Sequence, residues 1–425
     1  MQKSSNLRSL SGSAQPLHPT EGYTEFVPAL TFYEARATVL REVAAEFSSP
    51  ATEVVELSAS AGRILADDIL ADHDYPPFHR SMRDGFAIRA ADIPGQLRVI
   101  GEIRAGQTFS STIRPGEAVE IMTGAPVPDG ADAVLMVEHS VRHTNGSIST
   151  DRTIKTGDNI SPRAGEAAFG TVVLPRGTRI DYTAVACLAS VGRTSVSVFA
   201  KPRIAILSTG DEVIDIATTP TGSQIRNSNA WSLAVQVEHA GGIPFILPIA
   251  GDTMAHTRHR IRQGLSFDLL LLSGGVSAGK YDVVEPALAE LGATFFFDRV
   301  LIQPGQPLVF GKAHYKFFFG LPGNPASTMV TFELFARPAI ALLSGATPET
   351  AAELPVSLAR LTQPFRHHAG MTRFLPANVR GAEVTPVAWK GSGDIQALCR
   401  ANAFLIADPE KSDYAIGDLI SILFK

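Results

Sequence analysis

Apolar residues occur along the chain in two kinds of pattern, a helical spacing and short unbroken runs, and these patterns predict helices and strands. Between Thr31 and Phe47 apolar side chains return every three or four residues, which predicts a helix with Thr31 as its N-cap. Residues 268–272 read Asp-Leu-Leu-Leu-Leu and are followed by Ser273-Gly274-Gly275. An apolar run of this kind is typical of a strand buried on both faces of a parallel sheet. Glycines placed after it let backbone N–H groups approach a ligand closely.

From Arg203 onward, predicted strands and helices alternate. The predicted strands are 204–207, 243–249 and 269–272, and the predicted helices are 228–240, 254–265 and 283–291. Alternation of this kind predicts a doubly wound parallel sheet with helices on both faces and ligands at the carboxyl ends of the strands. Asp282 is placed to cap the last of these helices and Gly292 to end it.

Short β runs separated by Gly, Pro and Asp occupy most of the remaining sequence, which predicts small β domains on either side of the α/β region. The expected domains are a disordered lead at 1–26, a segmented linker domain at 27–77 plus 165–200, an inserted β domain at 78–164, an α/β domain at 201–346 and a C-terminal β-barrel at 347–425.

Composition narrows the class of protein. The chain has 425 residues, of which 45% are hydrophobic and 19% charged, as in folded globular proteins. A net charge of −5 with no basic run argues against a nucleic-acid partner, and the sequence has no unbroken apolar run of membrane-spanning length. With Cys187 and Cys399 as the only cysteines, a reducing cytoplasm is expected.

Polar and acidic residues follow several predicted strands. Asp211 and Glu212 come after the first strand of the α/β region, Asp252 after the second and Asp282 after the third. Carboxylates that converge on one edge of a sheet suit a hard divalent cation, which often bridges to phosphate. Taken singly, each of these residues is better explained as a helix cap or a solvated loop residue, and it is the agreement of three loops that favours the metal site.

A second glycine-rich loop, Gly320-Leu-Pro-Gly-Asn-Pro325, follows an aromatic strand and precedes a predicted helix from Ala326 to Leu343. Asn324 as N-cap and Pro325 at the first helical position explain the helix start. The additional glycines and proline indicate that the backbone approaches a ligand here.

Taken together, these motifs resemble the molybdopterin molybdenumtransferase family, which includes the gephyrin E domain. The similar segments are Ser208-Thr-Gly-Asp-Glu212, Ser273-Gly-Gly-Val-Ser277, Gln303-Pro-Gly-Gln-Pro307, Gly320-Leu-Pro-Gly-Asn-Pro325, the region from Phe78 to Ala87 and the region from Ile121 to Pro128. Their order and spacing match over nearly the whole chain after residue 27.

The resemblance implies a homodimer with an active site shared between chains. It implies an enzyme that binds adenylylated molybdopterin, uses Mg²⁺, and inserts molybdate at the dithiolene sulfurs while AMP leaves. Molybdoenzymes or their chaperones are implied as further partners.

The resemblance also implies roles for individual residues. Residues expected in catalysis are Asp84, Thr123, Glu212, Asp252, Asp282 and Arg299, of which Glu212, Asp252 and Asp282 also bind the metal. Residues expected to bind the pterin or its phosphate are Ser208, Thr209, Gly210, Ser273, Gly274, Gly275, Ser277, Gly279, Pro304, Gly305, Pro322, Gly323, Asn324, Pro325 and Ser392.

The sequence departs from the family pattern where the family usually carries lysines. Arg299, Gln303 and Gln306 stand at these places, and the two glutamines supply amide hydrogen bonds but no charge. The glutamines leave open a divergent paralogue, non-catalytic or of low activity, that binds the pterin as a carrier or scaffold. The glycine-rich anion loop taken alone leaves open a nucleotide-processing enzyme of another kind.

Overall fold

A computed structural model describes residues 29–46, 50–275 and 283–425. The chain forms two compact units. The large unit contains the described residues before Val54 together with Phe199–Lys425, and the small unit is Val54–Val198. Strands Thr52–Glu56 and Ser195–Phe199 fall at the two points where the chain passes from one unit to the other.

A six-stranded sheet forms the centre of the α/β part of the large unit. Its spatial order is Ile243–Ile246, Arg203–Ser208, Leu269–Ser273, Lys316–Leu321, Val309–Ala313 and Thr294–Phe297. The first four strands are parallel, as the sequence predicts, whereas Val309–Ala313 runs antiparallel to both of its neighbours. The reversal follows from the two-residue turn His314-Tyr315, whose φ angles of 48° and 62° fit a tight hairpin.

Side chains of the central strands alternate between two apolar layers. Ile204 and Ile206 pack in one layer, and Ala205 and Leu207 pack in the other. The first layer is covered by the helices Phe32–Glu46, Ser228–His239 and Arg337–Leu343, and the second by Met254–Gly264 and Val284–Glu290. The helix Arg337–Leu343 is the last part of the longer helix predicted from Ala326, and the other four lie within two residues of their predicted bounds. The strand predicted at 243–249 ends at Ile246, although the Leu247 N–H still donates to the Ile206 carbonyl of the neighbouring strand at 2.9 Å.

The helix predicted from Ala326 to Leu343 contains a change of helix type. It is α-helical over Pro325–Thr331, π-helical over Phe332–Ala336 and α-helical again over Arg337–Leu343. Pro338 lacks the N–H that would donate to the Leu334 carbonyl four residues earlier. The stretch Pro325–Leu343 is long and apolar enough to cross a membrane, but 78% of it is buried inside the protein, as expected of a core helix.

The N-terminal helix Phe32–Glu46, which belongs to the expected linker segment 27–77, packs against residues of the large unit. The Phe32 ring lies 5.9 Å from Phe335 and 5.4 Å from Phe374, measured between ring centroids. The helical spacing of the sequence specifies an apolar stripe but not its partner. The other parts of the two linker segments contact each other, since strand Ile69–Leu70 pairs with Val172–Leu174.

The C-terminal region forms a closed barrel of five strands. In order around the barrel they are Thr372–Arg380, Glu383–Pro386, Val356–Leu361, Leu419–Phe424 and Ala403–Ala407, and the last pairs again with the first. The strand Ile302–Gln303 pairs in parallel with the Thr372 end of the barrel. Other elements here are the helices Pro348–Ala352 and Ile395–Arg400 and the strands Phe365–Arg366 and Asp413–Tyr414.

The small unit contains a six-stranded sheet. Its spatial order is Ala133–Met136, Gly85–Ile88, Glu117–Ile121, Gly95–Ile103, Ser147–Thr150 and Val141–Arg142. The short strands Arg80–Ser81 and Ile160–Ser161 pair beside it, and the helix Tyr182–Ser190 begins at Asp181, whose side chain caps the Ala184 N–H. The mostly β character of residues 78–164 agrees with the sequence pattern.

Candidate active site

Three loops of the large unit leave the sheet at the same edge. Ser208, Ser273 and Leu321 are in register at the carboxyl ends of adjacent parallel strands. The loops that follow enclose a cavity of about 560 Å³. Its lining residues are Ser208, Thr209, Gly210, Glu212, Val213, Ile225, Arg226, Asn227, Ser228, Asn229, Asp252, Ser273, Gly274, Gly275, Pro307, Pro322, Gly323, Asn324 and Pro325. The cavity therefore lies where doubly wound sheets bind ligands.

The first loop carries Glu212 and is tied to the loop after the neighbouring strand. The Asp211 backbone N–H donates to Asp252 Oδ2 at 3.2 Å, and the Asp252 N–H donates to Asp211 Oδ1 at 3.0 Å. These two bonds hold the loops together, so Glu212 and Asp252 both line the cavity. Asp211, by contrast, does not line the cavity, and its carboxylate accepts the hydrogen bond from the Asp252 backbone N–H.

The second loop brings glycine backbone into contact with the first. Gly274 has φ of +90°, and a Cβ there would lie 3.0 Å from the Thr209 carbonyl oxygen. Only glycine fits this approach without displacement. The loop continues into residues 276–282, so Ser277, Gly279 and Asp282 lie outside the described residues and their predicted roles stay predictions.

The third loop, Pro322–Pro325, forms another wall of the cavity. Pro325 occupies the first helical position as predicted, but the Asn324 side chain makes no capping hydrogen bond. Asn229 holds this loop to the second one, because its Nδ2 donates to Ser273 Oγ at 2.9 Å and to the Gly323 carbonyl at 2.8 Å. Asn324 therefore occupies the N-cap position as predicted, without a side-chain cap, and lines the cavity.

Asn227, Asn229, Arg226 and Pro307 line the cavity without having been predicted there. Asn227 accepts hydrogen bonds from Ser208 Oγ at 2.8 Å and from the Ala230 N–H at 3.2 Å, so it caps the helix Ser228–His239. The sequence Asn-Ser-Asn before an apolar helix is a capping signal that places a helix N-terminus here. It does not reveal that this helix begins at the cavity.

The described part of the cavity offers two carboxylates for a divalent cation, Glu212 and Asp252. No group of three His, Cys, Asp or Glu side chains able to hold a metal occurs among the described residues. Mg²⁺ commonly uses one or two protein carboxylates and completes its shell with water and substrate phosphates. The donor set present is therefore compatible with Mg²⁺.

Asp84 and Thr123 lie together in the small unit, as neighbouring residues of one polar site. The Thr123 N–H and Oγ1 both donate to Asp84 Oδ1, at 2.6 Å and 2.7 Å. These hydrogen bonds hold the pKa of the Asp84 carboxyl below its usual value, so it is ionised at neutral pH.

Four other predicted site residues do not line the cavity described here. Gly305 has φ of +109°, and a Cβ there would meet Thr331 at 2.4 Å, so its need for glycine is explained by packing. The Ser392 carbonyl accepts the Ala326 N–H at 2.9 Å, which places this barrel loop at the start of the helix beside the cavity. Arg299 and Pro304 are likewise absent from the lining residues.

Comparison with known proteins identifies the family. The chain is 37% identical over 388 residues to the molybdopterin molybdenumtransferase of Bacillus subtilis, covering 88% of this chain and 89% of that protein. This chain belongs to the molybdopterin molybdenumtransferase family. It is thus a transferase of molybdenum cofactor biosynthesis. The enzyme of the same name from Staphylococcus epidermidis strain RP62A is 32% identical and covers 87% of this chain and 90% of that protein.

Domain and structure comparisons agree with this family membership. Residues 30–192 match the MoeA N-terminal region (domain I and II), 205–342 a probable molybdopterin binding domain, and 358–424 the MoeA C-terminal region (domain IV). The crystal structure of the molybdopterin biosynthesis moeA protein from Pyrococcus horikoshii OT3 superposes with a TM-score of 0.78 at 27% identity, covering 93% of this chain and 100% of that one.

Gly210→Ala is expected to displace the Glu212 carboxylate and to lower activity about tenfold while the fold is retained. Gly210 has φ of +128°, and a Cβ there would lie 2.6 Å from Glu212 Oε2. The carboxylate can rotate away, so the change alters the site more than it alters packing. Turnover and melting temperature measure the two effects separately.

Gly222→Ala is the matched control for this prediction. Gly222 also has a positive φ, +58°, but a Cβ there meets nothing within 4 Å. Equal losses of activity in the two variants would show that backbone strain, and not the position of Glu212, accounts for the effect.

Proposed function

We propose that this protein inserts molybdate into adenylylated molybdopterin, with Mg²⁺-dependent release of AMP. In this reaction one water molecule cleaves the phosphoanhydride P–O bond, which gives AMP and the phosphate of molybdopterin. Two molybdenum–sulfur bonds form as the dithiol loses its two protons, and one molybdate oxygen takes up these protons and leaves as water. The observation that carries the proposal is the cavity itself, where carboxylates and glycine-rich backbone line one space at the carboxyl ends of parallel strands.

The glycine-rich walls supply the binding part of the proposal. Gly274 and Gly275 both have positive φ and line the cavity beside the start of the helix Ser228–His239. Backbone N–H groups and a helix N-terminus favour negatively charged groups. A phosphorylated pterin therefore matches the chemistry of these walls.

Glu212 and Asp252 supply the metal-binding part. Their carboxylates would hold Mg²⁺ from two adjacent loops that are tied by the reciprocal bonds of Asp211 and Asp252. When bound, the ion would offset the charge of the phosphoanhydride. The chain's own contribution is to orient the phosphates and to keep both carboxylates on the same side of the ligand.

Asp84 and Thr123 complete the proposal if the protein is a homodimer whose site is shared between chains. Their hydrogen-bonded pair keeps Asp84 ionised and oriented, as a polar contact to a ligand requires. Mixing an Asp84→Asn chain with an Asp252→Asn chain tests this point. A shared site restores activity in the mixed dimer, to about a quarter of the wild-type level by random pairing of chains.

Incubating the purified full chain with adenylylated molybdopterin, Mg²⁺ and molybdate tests the function. We expect AMP release together with formation of a cofactor that activates an apo-molybdoenzyme, and both should stop when Mg²⁺ is chelated. Tight pterin binding without AMP release would instead support the carrier hypothesis, which the glutamines Gln303 and Gln306 favour. Failure to bind the adenylylated pterin at all would overturn both.

A further inference from the structure

Arg226 lies in a short two-stranded ribbon that forms part of the cavity wall. Strands Val213–Ile214 and Ile225–Arg226 pair in parallel, with Ile214 opposite Arg226. The Ile225 N–H donates to the Glu212 carbonyl at 2.8 Å, and the Asn227 N–H donates to the Ile214 carbonyl at 2.9 Å. The backbone on both sides of Arg226 is therefore fixed to the loop that carries Glu212.

Among the residues that the structure describes, the guanidinium of Arg226 has one orienting hydrogen bond and no carboxylate partner. Its Nε donates to the Thr218 carbonyl at 3.1 Å, a bond that fixes the direction of the side chain. The described residues provide no carboxylate ion pair for it. The terminal nitrogens, each with two donors, are consequently available to a ligand.

Among the cavity-lining residues that the structure describes, Arg226 is the one with a positively charged side chain. Two carboxylates, Glu212 and Asp252, line the same cavity. Gln303 and Gln306 carry no charge and do not line the cavity, and Lys312 is paired with Glu46 at 2.6 Å. A cavity built for a polyanion needs a compensating cation, and a guanidinium meets tetrahedral oxyanions with two parallel hydrogen bonds.

We infer that Arg226 is the oxyanion-binding residue of this cavity, and that it contributes the positive charge which the two glutamines do not. The ligand group is a tetrahedral oxyanion, either a phosphate of the nucleotide-bearing pterin or molybdate. This inference rests on the proposed function for the identity of the ligand, but the contact itself is tested by binding alone.

Equilibrium titration of the full chain with AMP, adenosine and molybdate tests the inference. Arg226→Gln is expected to weaken binding of either AMP or molybdate about 10- to 100-fold, the loss expected for a charge-assisted contact. Binding of adenosine, which has no phosphate, should stay unchanged. Weakening of AMP identifies the phosphate as the group bound, and weakening of molybdate identifies the metal oxyanion.

Two further variants separate a binding role from a structural one. Arg226→Lys keeps the charge but not the paired donors, so we expect an intermediate loss. Arg262→Gln removes an exposed arginine of the helix Met254–Gly264 and should leave all three titrations unchanged. Unchanged AMP and molybdate binding in Arg226→Gln, or an equal loss of adenosine binding, would overturn the inference.

The test also distinguishes this inference from the proposed function. If the wild-type protein releases AMP and the Arg226→Gln variant binds AMP and molybdate as tightly as the wild type, the proposed function is retained and Arg226 has no part in it. A wild-type protein that releases no AMP, yet binds AMP or molybdate through Arg226, would keep the oxyanion contact and reject the transfer reaction.

Discussion

Asp252→Asn is expected to lower AMP release about 100-fold or more, and Glu212→Gln is expected to do the same. Each change keeps the size of the side chain and removes one of the two carboxylates that line the described cavity. An amide holds Mg²⁺ far more weakly than a carboxylate, and a correctly placed ion contributes several kcal/mol to stabilising the reacting phosphates. A 100-fold loss corresponds to about 2.7 kcal/mol.

The position of each carboxylate predicts a difference between the two variants. Asp252 Oδ2 also accepts a hydrogen bond from the Asp211 N–H. Asp252→Asn replaces this carboxylate by an amide and so weakens a hydrogen bond that holds the two loops together. Glu212→Gln disturbs no hydrogen bond of this pair. We therefore expect higher Mg²⁺ to restore activity further in Glu212→Gln than in Asp252→Asn.

Initial rates of AMP release over a series of Mg²⁺ concentrations measure both effects. Asp215→Asn is the matched control, because Asp215 follows the ribbon strand Val213–Ile214, binds the Ala217 N–H, and does not line the cavity. Wild-type rates in both cavity variants would rule out their role as metal ligands.

Arg36→Met is expected to lower the free energy of unfolding of the large unit by about 1–3 kcal/mol, the range for leaving buried hydrogen-bond acceptors without a donor. Arg36 is only 6% exposed. Its Nη1 donates to the Leu334 carbonyl at 2.5 Å, and Nη2 donates to the Ala352 carbonyl at 3.1 Å. Burial lowers the pKa of Arg36 to about 10, so the group stays charged at neutral pH.

The carbonyls that Arg36 binds have lost their helical partners. Leu334 lies in the π-helical turn, where Pro338 has no N–H to offer it. Ala352 ends the helix Pro348–Ala352, and the last carbonyls of a helix have no donor within it. One guanidinium thus joins three helices at places where methionine would leave buried acceptors unpaired.

Urea unfolding followed by tryptophan fluorescence measures this loss, since both tryptophans, Trp231 and Trp389, belong to the large unit. Arg41→Met is the control on the same helix, because the Arg41 side chain is 59% exposed and its ion pair within the described residues is with its neighbour Glu42. Exposed ion pairs contribute little, so its effect should stay below about 1 kcal/mol. Equal destabilisation by both changes would contradict the role assigned to Arg36.

The sequence by itself determined the elements whose pattern is local. The run Leu269–Leu272 specified a strand buried on both faces, and the spacing from Phe32 to Val43 specified an amphipathic helix. The capping box at its start is also local, because Thr31 and Glu34 bond each other across three residues. The carboxyl-edge rule for parallel strands then placed Glu212 and Asp252 in one cavity.

Only the tertiary structure decided which distant residues meet. Arg36 and Leu334 are 298 positions apart, and Asn229 joins loops 44 and 94 positions away. Nothing in the sequence around Arg226 marks it as a binding residue. It lines the cavity because its strand, Ile225–Arg226, pairs with Val213–Ile214, the strand that follows Glu212. Periodicity shows which face of an element is buried, whereas the partner of that face depends on how all elements pack together.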